Sequence, residues 1–201
     1  MLKIKGRQQK KKLAAAQLRA RQLLTARKER EALEFLEEAV ELFPLDPELR
    51  LLYATILLAF RPEAVATEAA KAAELGPDDP AILVGAGHRL LFGGKLDAAR
   101  SCARRASNLV QPDFALMPSL LNLTGLIAAF DGDDRQAEID LRSAFEGEPA
   151  NGHFAKNLAV FFAERGRLHD GVQVLDEALK HVENKDDLER MRARMAAEAR
   201  S

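Results

Sequence analysis

The stretch PSLLNLTGLIAAFDGDDRQAEIDLRSAFEGEPAN, residues 118–151, runs directly into GHFAKNLAVFFAERGRLHDGVQVLDEALKHVENK, residues 152–185. Laid over each other at an offset of 34 residues, they pair Gly125 with Ala159, Gly132 with Gly166, Leu141 with Leu175 and Ala144 with Ala178. A recurrence of this length marks an array of similar units, each too small to bury its apolar face alone. Working outward, Pro80 opens an upstream copy with Gly87, Gly94, Ala99, Ala103 and Ala106 in the same slots. That copy begins 38 residues before Pro118, which makes residues 114–117 (Phe-Ala-Leu-Met) a four-residue insertion. Ala39 to Ala72 and Pro44 to Pro77 are 33 apart, so the copy at 47–79 has lost one residue, at its inner turn near Arg61-Pro62. A weaker copy at 13–46 keeps Ala20, Ala32, Leu36, Ala39 and Pro44.

Each slot has a physical reason. Two helices that cross closely need a small residue at the contact, supplied by Ala54, Gly87, Gly125 and Ala159 on the first helix and by Ala99 and Ala137 on the second. Gly94, Gly132 and Gly166 fall where the first helix must stop, and a left-handed residue there costs glycine nothing. Pro44, Pro77 and Pro149 end the second helix, because proline cannot continue it. A final segment, 186–199, carries Leu188, Met191 and Met195 on one stripe among charges, the pattern of a capping helix with a solvated outer face. Ala81-Ile-Leu-Val84 taken alone could be a strand, but its sister copies read as helix.

This pattern resembles the tetratricopeptide repeat, with Leu, Ala or Phe at most of the family's aromatic positions. The resemblance implies an all-α, right-handed superhelical solenoid of about five helical hairpins (13–46, 47–79, 80–113, 118–151, 152–185) and a capping helix. Residues 1–12 are left as a basic tail. It also implies a protein-binding scaffold or adaptor whose concave groove is lined by the first helix, A, of each hairpin. Carried over residue by residue, that lining is Leu51, Thr55, Leu58, Val84, His88, Leu91, Phe92, Asn122, Leu126, Phe130, His153, Lys156 and Val160. It is mostly apolar and suits an amphipathic helix or an extended apolar segment. Phe92 and Phe130 share one slot in neighbouring repeats and are the expected client contacts. Of the basic and amide groups with which some family members clamp carboxylates, only Lys156 and Asn122 stand in the lining.

Composition bounds the rest. With 47% hydrophobic and 30% charged residues the chain reads as folded. No stretch reaches the ~18 apolar residues of a membrane span. The start, Met1-Leu-Lys-Ile-Lys-Gly-Arg7, leads into Gln and Lys rather than an apolar run and does not read as a secretory signal. A lone cysteine, Cys102, cannot form an internal disulfide, so the expected location is cytoplasmic. The net charge of −1 hides an asymmetry, since residues 1–30 carry +10 and residues 31–201 carry −11. Lys3, Lys5, Arg7, Lys10, Lys11 and Lys12 form either a contact for an anionic partner (nucleic acid or ribosome, the alternative function) or a solvated tail.

None of the short catalytic patterns fits this sequence. Gly85-Ala-Gly87 opens like a dinucleotide fingerprint, but Leu90 stands where its third glycine belongs. His88, His153, His169 and His181 fall singly, without a metal-ligand pair, and Asp131-Gly-Asp-Asp134 lacks the downstream Glu of a calcium loop. Cys102 lies among alanines, where an inert buried thiol is expected. Asn122-Leu-Thr124 matches a glycosylation acceptor but falls within a helix. The expectation is therefore a non-enzyme without metal or cofactor.

Overall fold

Aspartate or asparagine, with proline often beside it, sets the helix starts. In Asp46-Pro47 and Asp79-Pro80 the carboxylate accepts from the first free amides, Leu49 N at 2.8 Å and Ala81 N at 2.9 Å, while proline takes a position that needs no N–H. Asp133 and Asn151 cap two later helices in the same way. The computed structural model describes residues 2–111 and 115–200, with side chains from Gln8 onward. Among these residues there are eleven helices and no strand: α1 (Leu2–Thr25), α2 (Glu29–Leu42), α3 (Pro47–Phe60), α4 (Pro62–Leu75), α5 (Pro80–Phe92), α6 (Leu96–Ser107), α7 (Met117–Asp131), α8 (Asp134–Gly147), α9 (Gly152–Glu164), α10 (Leu168–Ala178) and α11 (Asp186–Glu198). The fold is all-α, a series of helical hairpins in which each odd-numbered helix up to α9 packs on the helix that follows it.

The inner turns follow the repeat slots. Gly94, Gly132 and Gly166 all take a left-handed conformation, with φ of 70, 77 and 72°. The first hairpin has no glycine there, and Arg27 is forced to φ 53° instead. In the hairpin that lost a residue, Arg61 alone joins α3 to α4, ending one helix and opening the next.

Residues 2–12, expected from sequence to be a tail, continue α1. The described part of that helix is held from below, where Gln17 Nε2 donates to Asp46 at 3.1 Å and Arg21 pairs with Glu48.

The chain divides into two compact units, Met1–Leu109 (α1–α6) and Val110–Ser201 (α7–α11). The division falls in the connection that leads to the four-residue insertion, of which Phe114 lies outside the described residues. In the first unit α3 stands between α1 and α5, and α2, α4 and α6 pack against them. One core cluster there runs from Ala20 and Leu23 through Leu36 and Val40 to Leu49 and Ile56. In the second unit α9 stands between α7 and α11, which takes the place of a further A helix. Leu158, Phe162, Leu175 and Leu188 are sealed in its core. Gly125 is where α7 meets α8, because a Cβ there would come within 2.8 Å of Leu141 Cγ and 3.0 Å of Leu141 N.

Candidate functional site

Each of α3, α5, α7 and α9 leaves a strip of residues open or half-open. On α5 the arc packed against α3, α4 and α6 is wide, and it closes over Ile82, Leu83, Val84, Ala86, Gly87, Leu90 and Leu91. What stays open is Ala81, Gly85, His88, Arg89 and Phe92, one helical face at steps of three and four. Val84 and Leu91, placed in the groove by resemblance, are therefore core residues. A helix flanked on both sides keeps a narrower open strip than the family pattern implies. On α3, Leu51 and Thr55 are half-buried and Leu58 is exposed.

In the second unit Leu126 is half-buried, and His153, Val160 and Phe130 are exposed. Asn122 is not open. It is 3% exposed, and its Oδ1 accepts from Asn157 Nδ2 at 2.9 Å. Asn157 was missed from sequence, although its distance from Asn122 is one repeat plus one residue. Lys156 is half-buried and reaches across to α11, where its Nζ lies 3.2 Å from Asp187. The capping helix thus engages the basic group that the carry-over offered to a client.

Large apolar side chains that remain exposed are distributed unevenly. Among the described residues Leu18, Leu58, Phe60, Phe92, Phe130 and Val160 lie on A helices, whereas only Leu42 and Ile139 lie on the second helices of the hairpins. Phe92 is 62% and Phe130 is 68% exposed. They belong to separate units, so each unit has its own apolar strip.

The remaining candidates find structural places. Cys102 is buried, and burial raises its thiol pKa, so it is kept as the unreactive thiol. Thr124, of the glycosylation-like triplet, donates to the buried Asp140 at 2.6 Å. Lys10, Lys11 and Lys12 are exposed on α1, while the side chains of Lys3, Lys5 and Arg7 lie outside the described residues. No helix among the described residues is long and apolar enough to cross a membrane.

On the outer side of the second unit, Arg167 and Arg142 stack on the Phe162 ring at 4.4 and 5.5 Å. Both donate to Glu138, whose carboxyl they hold below its ordinary pKa, the Arg167 hydrogen bond contributing most. Every member of this cluster has a partner, and its arrangement serves to pin α8, α9 and α10 together.

No family model and no curated protein matches the sequence. Solved structures do match. TTC0263, a tetratricopeptide-repeat protein of Thermus thermophilus, aligns with a TM-score of 0.76 at 21% identity, covering 92% of this chain and 99% of that one. PilW, a type IV pilus biogenesis factor, aligns at 0.69 and 18%, covering 94% of this chain and 87% of its own. A chain of the Cut9–Hcn1 hetero-tetramer aligns at 0.71 and 16%, with 92% of this chain but 36% of that chain covered. These likenesses show the fold, and it is the tetratricopeptide-repeat fold.

Proposed function

We propose that this chain, with its tetratricopeptide-repeat fold, is a protein-interaction scaffold that receives an apolar or amphipathic segment of another protein on its A-helix strips. The observation that carries the reading is the exposure of Phe92 and Phe130 on the strips that the array leaves open. Neither ring is needed to close a hairpin, since small residues at Gly87, Gly125, Ala99 and Ala137 already make that contact. Large aromatics that become desolvated at an interface commonly carry about 2 kcal/mol or more each. The lining, built from Leu51, Thr55, Leu58, His88, Phe92, Leu126, Phe130, His153 and Val160, is mostly apolar, with Arg89 as a charged member on α5, which favours an apolar client over a polyanion. The Cut9–Hcn1 hetero-tetramer offers a protein-binding precedent for the fold.

A photo-crosslinking residue placed at 92 or 130 in living cells tests this, with 139 on α8 as the control position. Adducts to a protein from 92 or 130, and none from 139, are the expected result. Adducts from 139 alone, or adducts to RNA from all three, would place the binding surface elsewhere. Phe92→Ala and Phe130→Ala should each leave stability within about 0.5 kcal/mol, as expected for exposed side chains. Phe92→Ala should also reduce the adduct formed by a crosslinker at 58, and Phe130→Ala the adduct formed from 160.

A further inference from the structure

Arg89 sits on the open strip of α5, and its surroundings lack what a half-buried guanidinium normally has. Its Nε donates to Thr55 Oγ1 on α3 at 3.2 Å. Each of the other half-buried arginines among the described residues faces a carboxylate or backbone carbonyls, as Arg50 does with Glu68, Arg165 with Asp134, and Arg105 with the carbonyls of Ala73 and Pro77. Arg89 has no carboxylate and no carbonyl among the described residues. Burial lowers its pKa and no neighbouring acid opposes the shift. Yet none of its nitrogens is both sealed and unbonded, so the two Nη groups open on solvent. The result is a fork of four N–H donors, stripped of part of its water and with no anion on it among the described residues. Behind it, Leu51 packs on Gly85, whose Cβ position lies 2.6 Å from Leu51 Cδ2, and this forms an apolar wall one turn away. Phe92 and Leu58, both exposed, stand one turn further along α5 and α3.

A partly desolvated guanidinium gains most from a planar anion that takes two of its N–H groups at once. We propose that Arg89 is the specificity-determining contact of the first unit, taking the side-chain carboxylate of an aspartate or glutamate in the bound apolar segment. The proposal rests on the interaction reading above and adds the chemistry that selects the segment. It predicts an acidic residue set among apolar ones, the apolar neighbours against Phe92 and Leu58 and the acid against Arg89 and Thr55.

The test is selection from a random 12-residue peptide library displayed on phage, panned on the full chain and on its variants. From the wild-type chain, sequences should emerge with one Asp or Glu at a constant distance from large apolar residues. Glu→Gln in such a peptide should weaken binding roughly tenfold or more, as loss of a charged hydrogen bond does. Arg89→Gln should still select the apolar residues but lose the acid. Arg89→Lys keeps the charge without the fork and should show a weaker acid preference, with thermal melts establishing that both variants fold. Selection of apolar peptides without an acid, or an acid preference untouched by Arg89→Gln and Arg89→Lys, would overturn the role of Arg89 and leave the apolar strip standing. Peptides indifferent to Phe92→Ala would instead overturn the strip.

Discussion

Asn157 Nδ2 donates to Asn122 Oδ1 at 2.9 Å, tying α9 to α7 across 35 residues of sequence. The bond lies between two A helices and closes over Asn122 almost completely. Asn157→Ala should therefore cost about 1–2 kcal/mol, the penalty for leaving a sealed amide short of a partner. Replacing both residues by Leu should recover much of that loss, since no orphaned amide remains. Urea denaturation of both variants beside the wild type is the measurement, and a double variant worse than Asn157→Ala would contradict the assignment.

Two helical glycines should respond oppositely to alanine. At Gly125 a methyl group meets Leu141 Cγ at 2.8 Å and Leu141 N at 3.0 Å, so a helix must move. Gly125→Ala should destabilise, and Gly125→Leu should cost about 1–3 kcal/mol. At Gly85 the obstacle is Leu51 Cδ2, the end of a flexible side chain, and alanine adds about 0.5–1 kcal/mol of helix preference. Gly85→Ala should show no net loss in the same denaturation experiment.

Arg27 stands at φ 53° in the turn where three sister hairpins have glycine. A side chain in that region costs about 1–2 kcal/mol. Part of the gain from removing it is returned as the extra freedom of glycine in the unfolded chain. Arg27→Gly should raise stability by about 0.5–1 kcal/mol net. A lowered urea midpoint would contradict the strain at this turn.

The Glu138 cluster gives a pH dependence with a definite sign. Hydrogen bonds from Arg167 and then Arg142 hold the folded-state pKa of Glu138 below its ordinary value. The stabilisation is thus complete above the unfolded carboxylate pKa of about 4.3 and fades as pH falls through the lower folded value. Glu138→Gln should be less stable than wild type at pH 6, and the gap should narrow as pH is lowered below about 4. A gap that stays constant with pH would mean the carboxylate charge is not what the two arginines read.

Much of this molecule was legible in the sequence because its determinants are local and recur. The prolines at the hairpin exits and the glycines at the inner turns are each set by backbone conformation over one or two residues, and the period of 34 is the spacing at which they recur, so reading them needs no neighbour in space. They determined the all-α array of helical hairpins. What lines the open strips was decided only by tertiary structure. Whether Val84 faces a client or the core depends on how far α3, α4 and α6 wrap around α5, and that arc is a property of three other segments. The same holds for Asn122, sealed by a residue one repeat away, and for Lys156, engaged by the capping helix. Arg89 reads from sequence as an ordinary basic residue near the end of a helix. The role proposed for it comes from burial beside Thr55 with no carboxylate on it among the described residues, and desolvation is set by everything that surrounds a group rather than by its place in the chain.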